Sequence, residues 1–134
     1  MKKLKIELVV AIFIVCILSG AAFANQSSVL LEAPNAVERG SEITIKVHVT
    51  HNANNFFHYT KWVSIKVNGE EIARWDYGKY KNKRPKAKNF TKEIKYIVAD
   101  DIIIQAEASC NIHGSKKKAI KMVFIKSISR LEVY

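Results

Sequence analysis

An all-β sandwich of about seven strands is the fold this sequence predicts, and three observations carry the prediction. Apolar and polar residues alternate through most segments after residue 28, the period of a strand with one buried face. Turn-forming residues recur every eight to twelve positions, as they do between the short strands of two packed antiparallel sheets. Beyond the first two dozen residues no stretch shows a helical period. The combination predicts an immunoglobulin-like antiparallel β-sandwich, preceded by a signal peptide.

The start of the chain carries an address. Lys2, Lys3 and Lys5 give a basic beginning, residues 8–18 are an unbroken apolar run of 11, and Ala22-Phe23-Ala24 offers small residues to a peptidase. The expected division is therefore a signal peptide over residues 1–24 and one domain over residues 25–134. The apolar run falls short of the about 20 residues a span needs, and Ser19 and Gly20 interrupt it. Cleavage after Ala24 would leave a periplasmic or secreted protein with no membrane attachment. Cys16 would leave with the leader, so the mature chain keeps one cysteine, Cys110, and cannot form an internal disulfide.

The elements follow in order. Residues 29–33 make a first short strand, and Pro34 and Gly40 bracket the link to the next. Residues 41–50, SEITIKVHVT, put Ile43, Ile45, Val47 and Val49 on one face and Glu42, Thr44, Lys46 and His48 on the other. Val63, Ile65 and Val67 alternate likewise, and Asn68-Gly69 turns them into a return strand over 71–77. Residues 78–89 are a long polar connection, expected to be a mobile loop. Strands over 90–98 and 102–109 join at Asp100, and 119–125 with 128–133 form a closing pair. There is no internal repeat, linker or second domain.

The formal net charge is +10. Loss of the leader removes three lysines and one glutamate and leaves about +8, so the surface favours anions. Lys79, Lys81, Lys83, Arg84, Lys86 and Lys88 cluster beside Tyr77 and Tyr80, a composition that can bind nucleic acid by charge and stacking. Export argues against that partner, and a solvated basic loop that steers a small anion or an acidic protein is the better reading.

The chemistry lies in four histidines and Cys110. His48 is on the polar face of its strand and reads as solvated; His51 lies where that alternation stops, and His58 precedes the next strand. In the stretch CNIHG, Cys110 and His113 are separated by two residues, a spacing at which thiolate and imidazole bind one ion without straining the backbone. Such donors select iron, copper or zinc over magnesium or calcium. A bound metal would also account for an unpaired thiol in an oxidising compartment. The competing reading is a buried inert cysteine acting as a small hydrophobe, in a metal-free sandwich used for protein interaction. No Ser-His-Asp order, glycine-rich phosphate cradle or carboxylate pair is present.

His58-Tyr59-Thr60-Lys61-Trp62, Cys110-Asn111-Ile112-His113-Gly114 and Glu32-Ala33-Pro34 with Arg39-Gly40 resemble the iron-binding domain of the superoxide reductase family, the desulfoferrodoxins and neelaredoxins. The resemblance runs in order from about Val29 onward. It implies an immunoglobulin-like sandwich holding a mononuclear non-haem iron (Fe2+/Fe3+) that reduces superoxide to hydrogen peroxide by one-electron transfer. Cys110 would be the axial thiolate and catalytic centre, with His51, His58 and His113 as equatorial metal ligands. A separate electron-donor protein is implied, since no rubredoxin-like Cys-x-x-Cys is present, and so is a homo-oligomer. Two departures stand out. The family's fourth histidine falls on Ser27, with Gln26 before it where many members carry a lysine, and six residues rather than five separate His51 from His58. Lys61 and Lys79 are the nearest candidates in sequence for the missing lysine. Three imidazoles and a thiolate also resemble the ligands of copper electron carriers, so a non-catalytic metal-binding or electron-transfer protein on the same fold is the alternative expectation.

Overall fold

The structure is a computed structural model that describes residues 25–127 together with Ile6. The expected signal peptide over 1–24 and the last expected strand, 128–133, fall outside the described residues, Ile6 apart. Eight strands are present among those described: β1 (Ser28–Glu32), β2 (Ala36–Val37), β3 (Ser41–Thr50), β4 (Thr60–Val67), β5 (Glu70–Asp76), β6 (Asn89–Val98), β7 (Ile102–Cys110) and β8 (Ala119–Ile125). They form a three-stranded sheet in the order β1-β3-β6 and a five-stranded sheet in the order β2-β8-β7-β4-β5. All pairings are antiparallel except that of β2 with β8.

The alternation read from the sequence produces this packing. Ile43, Ile45, Val47 and Val49 of β3 are buried, as are Val63, Ile65 and Val67 of β4. They meet Ile102, Ile104, Ala106 and Ala108 of β7, with Val98 and Val123, in one core between the sheets. Each fully buried valine or isoleucine contributes about 1.5–3 kcal/mol relative to exposure, so the sandwich needs no disulfide. Asn68 (φ 50°) and Gly69 (φ 87°) turn β4 into β5 as expected, both in the left-handed region that such a hairpin demands. Asn68 also accepts a hydrogen bond from the Ile103 amide through Oδ1, tying the turn to β7.

Two parts of the chain differ from expectation. The link after β1 contains β2, whose two residues pair in parallel with Phe124 and Ile125. The connection over 78–88 holds a 3-10 turn at Lys81–Lys83. That turn is fastened by hydrogen bonds from the Gly78 amide to the Lys83 carbonyl (2.7 Å) and from the Lys83 amide to the Tyr80 carbonyl (2.8 Å), and Pro85 is buried.

β3 ends, β4 begins and β7 ends at the same end of the sandwich. There β4 shifts register against β7 between Thr60 and Trp62, an irregularity that re-aims side chains at a strand end. Thr60 pairs with Cys110 across this edge.

Candidate metal centre

His51 is the first residue beyond β3 and is fully buried. Its amide donates to the Lys88 carbonyl at 2.8 Å. Its Nδ1 lies 3.3 Å from Asn54 Oδ1 and 3.2 Å from Thr60 Oγ1. Asn54 Oδ1 also accepts from the Thr60 amide (2.9 Å), and Asn54 Nδ2 donates to the Ala87 carbonyl (2.8 Å). This orientation makes Oδ1 an acceptor facing His51, which assigns the ring proton to Nδ1. Nε2 is left bare and turned to the cluster.

The short loop that follows is shaped by Asn55. Its Oδ1 accepts from the amides of Phe57 and His58, both at 2.9 Å, and its own amide donates to the His58 carbonyl at 2.8 Å, an asparagine turn. His58 is thereby swung back so that its Nε2 lies 3.2 Å from His51 Nε2, 3.2 Å from His113 Nδ1 and 2.9 Å from Cys110 Sγ.

Each position of CNIHG has a structural reason. Cys110 ends β7, is 3% exposed, and opens a tight turn in which it and Gly114 exchange amide-to-carbonyl hydrogen bonds at 2.9 and 3.2 Å. Gly114 has φ 70°, a conformation glycine adopts at no steric cost. The amides of Ile112 and His113 both approach Cys110 Sγ at 3.4 Å. Asn111 pins the turn to the histidine loop: its amide donates to the Tyr59 carbonyl (3.0 Å), its Oδ1 accepts from the Tyr59 amide (2.9 Å), and its Nδ2 donates to the Phe57 carbonyl (3.0 Å). His113 Nδ1 stands 3.9 Å from Cys110 Sγ.

All four expected ligands are therefore at one end of the sandwich. The ligand atoms of His51, His58 and Cys110 lie within 4.8 Å of one another, and His113 adjoins through His58. With metal–nitrogen bonds of about 2.1 Å, donors 2.9–3.2 Å apart, as around His58 Nε2, could share one ion. Burial is the main cause lowering the pKa of both His51 and His58, and the nearby His113 lowers each further. Both imidazoles are thus kept in the neutral, ligating form near pH 7. Imidazoles with a thiolate suit iron, copper or zinc.

The other residues singled out in the sequence are placed as follows. His48 is on the outer face, bonded to Thr91 Oγ1 (2.9 Å) and Glu32 Oε2 (3.0 Å). Lys79 sits over the Phe56 and Tyr80 rings, 5.4 Å from each centroid, and Lys61 is exposed at the register shift. Ser27 is fully buried and its Oγ has no hydrogen-bond partner.

The desulfoferrodoxin family profile matches residues 22–119. The chain belongs to the desulfoferrodoxin family. Among solved structures it is similar to a superoxide reductase (neelaredoxin) from Ignicoccus hospitalis, at 18% identity over 77% of this chain and 84% of that one, with a TM-score of 0.63. A single-substitution variant of that protein aligns at 20% identity over 81% and 86%, with a TM-score of 0.59. The sulfur carrier protein SoxY from Chlorobium limicola f thiosulfatophilum aligns at 15% identity over 72% and 73%, with a TM-score of 0.51. Identities this low establish the fold, and a sulfur carrier on a similar sandwich shows that the fold alone does not fix the chemistry. No curated protein matches the chain.

Sequence reasoning gave no positioning role to Asn25, Asn54, Asn55, Thr60 and Asn111, which hold the candidate ligand residues or adjoin them. The clue available was the run of asparagines around His51 and His58, residues that bond backbone in tight loops.

Proposed function

We propose that this desulfoferrodoxin-family chain is an exported superoxide reductase, released by cleavage after Ala24 into the periplasm or medium. The observation that carries the reading is the convergence of His51, His58 and Cys110 within 4.8 Å of one another, with His113 Nδ1 3.2 Å from His58 Nε2, in a chain of this family. When bound there, a mononuclear non-haem iron supplies the one electron that, with two protons, turns superoxide into hydrogen peroxide.

The chain's own residues prepare that chemistry. His51, buried and fixed through Nδ1, presents Nε2 without rearrangement. Cys110 offers a sulfur ligand oriented by the Ile112 and His113 amides at 3.4 Å. The net charge of about +8 that remains after cleavage draws the superoxide anion toward the protein. The electron is replenished by a separate donor protein, and the protons come from solvent.

Quantifying peroxide against superoxide consumed, with a reductant present, tests the activity. A reductase yields one peroxide for each superoxide and releases no dioxygen. One peroxide for every two superoxides, with dioxygen, would mean dismutation instead. Ser27, in place of the fourth histidine, favours a second reading, a metal-binding or electron-transfer protein on the same fold. Stoichiometric metal and a reversible redox couple, with negligible superoxide consumption, would select that one.

A further inference from the structure

The segment that lost the family's histidine still lies against the centre, through its main chain. Asn25 O is 3.1 Å from His51 Nε2, the same separation that relates His51 Nε2 to His58 Nε2 (3.2 Å) and His58 Nε2 to His113 Nδ1 (3.2 Å). We propose that the main-chain carbonyl oxygen of Asn25 is a ligand of this metal centre, the donor that serves where the fourth histidine has become Ser27. The inference rests on the metal-binding reading above.

Donor and acceptor accounting supports it. Asn54 Oδ1 places the His51 ring proton on Nδ1, so Nε2 carries a lone pair. In that tautomer Nε2 and Asn25 O are two acceptors face to face, an arrangement that a metal ion between them relieves; the alternative, an Nε2 proton donated to the carbonyl, is the outcome the test below separates. The Ser27 hydroxyl does not fill the role, because it reaches no partner at hydrogen-bond distance.

Asn25 is also held in place. Gln26 Nε2 donates to the His113 carbonyl at 2.9 Å, the Lys116 amide donates to the Ser27 carbonyl at 2.9 Å, and Ser27 bridges Ser115. The segment that follows Asn25 is thereby tied to the CNIHG turn that bears Cys110 and His113. Cleavage after Ala24 leaves Asn25 as the first residue with its carbonyl intact, so the ligand survives maturation. A neutral oxygen is a harder donor than imidazole, so the site would hold a soft metal less tightly than four histidines would.

Asn25-Gln26 is the one Asn-Gln step in the chain. Labelling asparagine carbonyls with 13C and glutamine amides with 15N therefore isolates the Asn25 carbonyl in a single NMR correlation. The whole protein is titrated with Zn2+, a diamagnetic probe, while the histidine ring resonances are followed in parallel. Coordination moves the Asn25 carbonyl downfield, saturating at one equivalent together with the His51 and His58 rings. Loss of a hydrogen bond from His51 would move it upfield. In Ser27→His, which restores an imidazole, the carbonyl stays near its metal-free position while zinc still binds. Saturation of the rings with the Asn25 carbonyl unmoved or moved upfield overturns the proposal alone. Rings that never respond overturn the metal reading and the ligand assignment with it.

Discussion

The two ends of the β4–β7 sheet use asparagine in the same way and come out differently. At the far end Asn68 turns β4 into β5, and its Oδ1 satisfies the Ile103 amide. At the near end Asn54, Asn55 and Asn111 satisfy amides of Thr60, Phe57, His58 and Tyr59 by the same chemistry. The far end is then complete. At the near end His51, His58, His113 and Cys110 also turn ring nitrogens and the sulfur toward one another, with His58 Nε2 within 2.9–3.2 Å of the other three. Gathering several imidazoles and a thiol into one partly buried cluster is a costly use of polar side chains, and it marks the near end as the candidate functional end.

The comparison breaks most readily at His58, whose Nε2 adjoins three other candidate ligand atoms. His58→Ala is expected to lower metal affinity beyond the about 10–100-fold typical of losing an outer partner, while metal-free stability changes by no more than about 1 kcal/mol. Isothermal titration and denaturant unfolding measure the two. A fold that collapses without His58 would make the cluster structural.

Paired substitutions at the two ends sharpen the contrast. Asn111→Ala removes hydrogen bonds to Tyr59 and Phe57 and should cost about 1–3 kcal/mol of stability together with metal affinity. Asn68→Ala should cost about 1 kcal/mol through its lost bond and its positive φ and leave metal binding unchanged. Equal effects of both on metal affinity would erase the distinction between the ends.

pH distinguishes the ends more gently. His51 and His58 have pKa values lowered in the folded chain, chiefly by burial, so the unfolded chain binds more protons. Metal-free stability should be complete above the unfolded value of about 6.5 and fall as pH drops from there through the folded values. Denaturant midpoints between pH 5 and 8 show this, and the slope should shrink in His58→Asn. The smallest effect belongs to His48→Ala on the outer face of β3, expected within about 0.5 kcal/mol and silent in metal binding. A large loss of metal there would place the wrong face of β3 at the centre.

Much of this was legible in the sequence because it is periodic or local. The alternation over 41–50 gives β3 its bounds and buried face, Asn68-Gly69 gives the hairpin, and the strand-end positions of His51, His58 and Cys110, with His113 beside His58, give the candidate cluster. What escaped depends on segments distant in sequence. β2 is two residues long and exists by pairing with β8, so no periodicity announces it. Asn111 acts only because the turn after β7 meets the loop before β4. The connection over 78–88 is ordered by main-chain bonds, and the Asn25 carbonyl is a group every residue possesses. Neither leaves a trace in residue identities.

The most direct measurement is the visible absorption of the protein loaded anaerobically with one equivalent of Fe2+, before and after chemical oxidation, beside Cys110→Ser treated identically. A strong visible band that appears on oxidation and is missing from the variant is the predicted result, since only ferric iron bound to the Cys110 thiolate gives it. A folded protein showing no such band, or the same band with and without Cys110, would contradict the His/Cys iron centre on which the account rests.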